Sequence, residues 1–99
     1  MKKRIYISGP MSGLPENNFP AFFAMEERIR TAGDLPVNPA RFPVQPSYDD
    51  YIRLDLEVIA MTADGAVFLK GWEHSKGANI EMDLIRSLGI PVMFEEQMQ

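Results

Sequence analysis

Apolar positions along the chain alternate between short unbroken runs and helical periods, and that alternation sets out four strands and three helices. Arg4-Ile-Tyr-Ile-Ser8 predicts a first strand, and Gly9-Pro-Met-Ser-Gly-Leu-Pro15 a glycine-rich loop after it. Phe22, Met25, Ile29 and Ala32 recur on one helical face, predicting a helix from Phe19 to Ala32 with Asn18 as N-cap, Pro20 in its first turn and Gly33 as its stop. Leu35-Pro-Val-Asn38 reads as a short second strand. Pro36 and Pro39 place it at an edge, because proline cannot donate to a ladder. A proline-spaced loop carrying Arg41 and Phe42 runs on to Pro46. Ser47 to Thr62 predicts a second helix, with Ser47 as N-cap, Asp50 in the capping-box position and a stripe through Ile52, Leu56, Ile59 and Ala63. Gly65-Ala-Val-Phe-Leu-Lys70 is a continuous apolar run, the mark of a buried central strand. A third helix then runs to Gly89 at its C′ position, Ile90-Pro-Val-Met-Phe94 gives a last strand, and the polar tail from Glu95 to Gln99 is expected to fray.

Strands alternating with helices imply parallel pairing and right-handed crossovers. The expected architecture is a three-layer α/β sandwich of the flavodoxin or Rossmann-like kind. Its small parallel four-stranded sheet has the order 2-1-3-4, in a single domain over residues 1–99. In such a sheet ligands bind beyond the carboxyl ends of the strands, near the point where the winding reverses. For this order that is the crevice between strands one and three, overhung by Ser8 to Gly13 and by Gly71 to Gly77.

One residue breaks the pattern there. At about 100° per residue, Glu81 falls near the middle of the face formed by Leu84, Ile85 and Leu88, so its carboxylate is aimed inward. A buried carboxylate costs several kcal/mol unless it is paired or put to use. Asp55 is a second unusual carboxylate, at the border between the stripe of its helix and solvent, where a plain solvated aspartate is the alternative. Ser75 is readily an N-cap, and the same hydroxyl with the free N–H groups of Lys76, Gly77 and Ala78 makes an anion or sugar-hydroxyl site. Gly9 and Gly13 can serve a tight turn alone, and Ser8-Gly-Pro-Met-Ser-Gly13 satisfies neither the GxGxxG nor the phosphate-loop pattern. Tyr6 can be simple strand filling; His74 reads as an exposed bystander, and Trp72 as a base-stacking or interface residue.

Composition narrows the classes. Hydrophobic residues make up 45% and charged residues 24%, as in an ordinary soluble globular protein. No apolar run approaches a membrane span, and the start of the chain is broken by Gly9-Pro10 too early for a signal peptide, so a cytoplasmic location is expected. The absence of cysteine removes disulfides, thiolate metal sites and a thiol nucleophile, and the lone His74 removes a histidine-rich metal site. A net charge of −4, with Lys2-Lys3-Arg4 as the one basic run, argues against polymeric nucleic acid while leaving a single nucleoside or nucleotide open. At 99 residues, self-association into a homo-oligomer would be a useful second source of burial.

Taken in order, these pieces resemble the nucleoside 2-deoxyribosyltransferase superfamily, in particular its short phage-type branch, over nearly the whole chain. Ile5-Tyr-Ile-Ser-Gly-Pro-Met-Ser-Gly13 looks like that family's opening strand and loop, and Val37-Asn-Pro39 like the end of its second strand. Asp55-Leu followed by Ala63-Asp-Gly-Ala-Val67 is similar to its aspartate helix and third strand, Ser75-Lys-Gly-Ala-Asn-Ile-Glu81 to its serine-glycine-glutamate element, and Gly89-Ile-Pro-Val92 to the run into the next strand. The resemblance implies cleavage or exchange of the N-glycosidic bond of a 2′-deoxyribonucleoside or its 5′-monophosphate, a chemistry that needs neither metal nor organic cofactor. In that scheme Glu81 is the nucleophile at C1′, Asp55 the acid and sugar-binding partner, and Tyr6 the group that orients the glutamate. Ser8, Gly9, Ser12, Gly13, Ser75 and Gly77 would line the substrate site. The related deoxynucleotide N-hydrolases carry serine and arginine in the first loop where this chain has Pro10 and Ser12, and the transferases carry a longer C-terminal part. A module that binds a nucleotide in the same crevice without reacting is the alternative.

Overall fold

A computed structural model describes residues 1–98. Its elements are β1 (Arg4–Ser8), α1 (Phe19–Thr31), β2 (Leu35–Val37), α2 (Tyr48–Thr62), β3 (Gly65–Phe68), α3 (Lys76–Ser87) and β4 (Val92–Phe94), joined by short 3-10 turns. The four strands form one all-parallel sheet in the order β2-β1-β3-β4. The expected fold class and strand order are therefore those of the molecule. Register places Tyr6 beside Ala66, Ser8 beside Phe68, and Phe68 beside Phe94, a row along the carboxyl edge of the sheet.

The pleat sorts β1 into two cores. Tyr6 joins Ala66, Phe68, Ile59, Ala78, Met82 and Ile85 under α2 and α3, whereas Ile7 joins Val67, Leu69, Phe22, Met25 and Ile29 under α1. Every residue of β3 is buried, which is why its sequence shows no alternation. Each fully buried aliphatic side chain here, such as Ile7, Ile59 or Ile85, contributes roughly 1.5–3 kcal/mol.

Several local expectations give way to specific contacts. Asn18 adopts a left-handed conformation with no side-chain cap, its amide donating instead to the Pro10 carbonyl at 3.0 Å. Ala32 is exposed and Leu88 is 52% exposed, because α1 and α3 end just before them and the chain turns away. Ser47 does cap α2 by accepting from the Asp50 amide, but the Asp50 carboxylate takes the Ser47 hydroxyl at 2.9 Å rather than reaching back to an N–H. The tail does not fray over its described part: Glu95–Gln97 forms a 3-10 turn, Glu95 accepts from the Lys70 amide at 2.8 Å, and Met98 packs on the α1 core. Gln99 lies outside the described residues.

α1 also buries a carboxylate that the apolar pattern passes over. Glu26 follows Phe22 by one turn and is 3% exposed. Arg41 grips it with Nε on Oε1 at 2.7 Å and Nη2 on Oε2 at 2.8 Å, Asn38 donates at 3.3 Å, and the guanidinium lies 4.8 Å over the Phe23 ring. Hydrogen bonding from Arg41 outweighs burial and holds the Glu26 carboxyl down at about 2. A group whose pKa is lowered by folding adds stability above its unfolded value and loses it as acid approaches the folded one. Arg41→Ala is therefore expected to cost about 1–3 kcal/mol at pH 7, with the deficit shrinking as pH falls from about 5 toward 2, read from urea midpoints across that range. A pH-independent difference would mean that the pair contributes packing alone.

Candidate functional site

Three elements meet at the carboxyl end of the sheet. β1 turns Tyr6 and Ser8 toward the α2–α3 layer, α3 sends Glu81 down from above, and α2 brings Asp55 in from the side. The Ser8 hydroxyl donates to Glu81 Oε1 at 2.6 Å, and the Tyr6 hydroxyl donates to Glu81 Oε2 at 3.3 Å. Asp55 lies close enough for its charge to act on both Glu81 and Tyr6. Glu81 is 5% exposed and Asp55 half-buried, so Asp55 forms the outer edge of the cluster.

The electrostatics follow from that packing. Burial, then the neighbouring Asp55 charge, raises the Glu81 carboxyl well above its usual range, against the pull of the Ser8 and Tyr6 hydrogen bonds. Burial raises Asp55 to about 6, with hydrogen bonds to Glu81 and Tyr6 opposing it. Burial and the two carboxylates also push the Tyr6 phenol well above 10, which makes it a permanently neutral donor. No cation pairs with either carboxylate among the described residues. Each carboxylate charge therefore opposes the other's, which favours one ionised member beside one that keeps its proton.

Helix α3 is aimed by its first turn. Ser75 caps it, accepting from the Ala78 amide at 3.2 Å, while the Asn79 amide donates to the carbonyls of Glu73 at 3.0 Å and Ser75 at 2.8 Å. A Cβ at Gly77 would come within 3.1 Å of Ile52 Cδ1 and of the Tyr48 hydroxyl, so glycine is what lets α3 approach α2. A Cβ at Gly9 would lie 2.8 Å from Leu69 Cβ, where the chain leaving β1 crosses the end of β3. Gly13 has φ +81 with open space around it, a turn requirement only.

Of the residues singled out from the sequence, Glu81, Asp55, Tyr6 and Ser8 thus form one group. Ser8 spends its hydroxyl on Glu81 rather than lining open space. Ser75 and Gly77 shape the start of α3, Gly9 the crossing below it, and no contact joins the exposed Ser12 and Gly13 to the cluster. Tyr48 was missed. It lies seven residues before Asp55, two turns up the same face, and its phenol is raised by burial and then by the charges of Glu81, Asp49 and Asp55. Counting back along the line Ile59, Asp55, Ile52 would have reached it; the chosen stripe went through Leu56, which is only half-buried.

Two shallow hollows lie nearby, one of about 240 Å³ at the ends of β3 and β4 and one of about 190 Å³ over the first turns of α2 and α3 beside Tyr48. Neither is lined by Glu81, Asp55 or Tyr6; Glu81 is covered and Asp55 half-buried. No group of three or more potential ligands able to hold a metal occurs among the described residues, and no helix there is long and apolar enough to cross a membrane.

A raised carboxyl pKa makes the opposite pH signature to Glu26. The stability of the protonated pair is complete below the unfolded carboxyl value and is lost as pH rises from there through the folded values, the Asp55 share being spent once pH has passed about 6 and the Glu81 share at its own raised value. Glu81→Gln removes one of the two charges. Its stability relative to the parent is expected to improve steadily from pH 6 to pH 9 in chemical denaturation, and a flat difference would contradict a buried, proton-sharing pair.

No curated protein matches the chain. A family model described as a domain of unknown function, DUF4406, matches residues 3–94, which take in all four strands and every member of the carboxyl cluster. The chain belongs to the DUF4406 family.

Proposed function

We propose that the protein cleaves or exchanges the N-glycosidic bond of a 2′-deoxyribonucleoside or its 5′-monophosphate through a covalent sugar intermediate on Glu81. The observation that carries this reading is a buried glutamate held by two hydroxyls, with a second, half-buried carboxyl beside it, at the carboxyl end of a parallel sheet. The resemblance of Ile5–Gly13, Asp55-Leu and Ser75–Glu81 to the nucleoside 2-deoxyribosyltransferase superfamily supports the same assignment.

The chemistry requires an anion and an acid side by side. With the shared proton on Asp55, Glu81 is ionised and attacks C1′ of the sugar. The C1′–N bond breaks, its electron pair goes to the base nitrogen, and Asp55 delivers the proton that neutralises it. A water or a second base then attacks C1′ from the opposite side, expelling Glu81 and returning one proton to Asp55. Two displacements give retention. Inverting glycosidases keep their carboxyls roughly 6.5–9.5 Å apart to admit a water and retaining ones roughly 5–5.5 Å; the strong mutual effect of Asp55 and Glu81 supports a close pair and with it the covalent route. Ser8 and Tyr6 hold the two Glu81 oxygens, the Tyr6 phenol remaining a donor across the working pH range.

The covering of Glu81 favours one competing reading, a pocket that binds a nucleotide and does no chemistry. Incubation with a panel of deoxynucleosides and their monophosphates, followed by mass detection of free base, separates the two. Base release is expected, lost by at least about 10³-fold in Glu81→Gln and by about 10²–10⁴-fold in Asp55→Asn, with one sugar's mass added to the intact parent protein after rapid quenching. Release that survives Glu81→Gln would end the assignment, whereas saturable binding without product would favour the pocket. The rate should follow a bell in pH, its acid limb near 6 where the pair as a whole gives up the first of its two protons and becomes singly ionised.

A further inference from the structure

The aromatic side chains at the carboxyl ends of β3 and β4 are not used by the carboxyl cluster. Trp72 stacks on Phe94 with ring centroids 5.8 Å apart and planes 25° apart, and meets Phe68 edge-on at 5.2 Å. Together these rings wall the hollow of about 240 Å³, whose rim carries Lys70, Glu73 and Glu96. The wall is rigid: Phe68 is 1% exposed, Trp72 follows a glycine at φ +85, and the turn bearing Glu96 is tied down by the Glu95–Lys70 hydrogen bond. None of the three charged rim side chains makes a hydrogen bond or ion pair among the described residues, so their donors and acceptors are available.

We propose that this hollow is a second binding site, separate from Glu81, for a flat amino-bearing heterocycle of the nucleobase or nucleoside class. Size and charge select that class. The space is below the roughly 300–1,000 Å³ of a drug-sized pocket, enough for one ring system and too small for a whole nucleotide. Stacking on an aromatic side chain contributes about 1–3 kcal/mol per base whatever its identity. Glu73 and Glu96 are acceptors that suit exocyclic amino and ring N–H donors, and two carboxylates against one ammonium leave the rim net negative, which disfavours a phosphate. The row Ser8, Phe68, Phe94 sets the hollow one to two strand spacings, about 5–10 Å, from the strand that holds Glu81, with no shared lining residue. The site therefore stands whether or not Glu81 is a nucleophile.

The chain has a single tryptophan, so its one indole N–H resonance reports on the wall directly. Titrating the full-length protein with free adenine and with cytosine is expected to move that signal and the Phe94 and Glu96 amides saturably below about 1 mM. Glu81→Gln should leave the shifts unchanged, the double change Glu73→Gln with Glu96→Gln should weaken binding about tenfold, and deoxyadenosine 5′-monophosphate should bind at least tenfold more weakly than adenine. No saturable movement of the indole signal up to 10 mM adenine would overturn the proposal, taking about ten times the expected concentration as the margin. So would shifts confined to Ser8, Asp55 and Glu81, which would put the base in the carboxyl site, or shifts that follow protein concentration without ligand, which would mean that a second copy covers the hollow.

Discussion

A buried carboxyl beside a second, half-buried one, with no cation paired to either among the described residues, is tolerable because the pair can retain a proton and because Glu81 accepts hydrogen bonds from neutral hydroxyls. Everything else near the site serves that pairing. The Ser8 bond of 2.6 Å fixes one Glu81 oxygen, Tyr6 covers the other, and the missing side chain at Gly77 closes the distance between the helices that carry the acids. Replacing Glu81 with leucine would have gained about 2 kcal/mol of burial. The fold instead accommodates a group that opposes it, which is the ordinary relation between stability and activity.

Glu26 supplies an internal contrast. Both glutamates sit one helical turn from buried apolar residues and both are almost fully covered, yet their surroundings drive them in opposite directions. Glu26 meets a bidentate guanidinium and becomes a fixed anion that fastens the loop after β2 to α1. Glu81 meets another acid and becomes a group that can exchange a proton. Burial alone does not decide whether a carboxyl holds its proton; the sign of the nearest charge does.

That contrast also explains what the sequence made legible. Element types, strand order and the inward aim of Glu81 follow from hydrophobic period and topology, which depend on residues close together in the chain. The joining of Asp55 to Glu81 was visible only as a border position, because an angle on a helix wheel cannot say how near the facing helix comes. Glu26 was overlooked for the same reason: its partner Arg41 lies fifteen residues away, in a proline-rich loop whose path no periodicity fixes. Asn18 looked like a cap by residue type, but the loop before α1 takes three successive left-handed residues and turns its amide to Pro10. Tyr48 was lost to the choice between two neighbouring stripes on α2, a choice decided by where α3 docks.

The bonds from Ser8 and Tyr6 to Glu81 span 73 and 75 residues of the 99 in the sequence. Such long-range closures are made late and at the full cost of chain entropy. A fragment lacking β1 would leave Glu81 without both of its hydroxyl donors. The grip on Glu81 is thus a report on completed folding, made only when the first strand and the last helix have found each other.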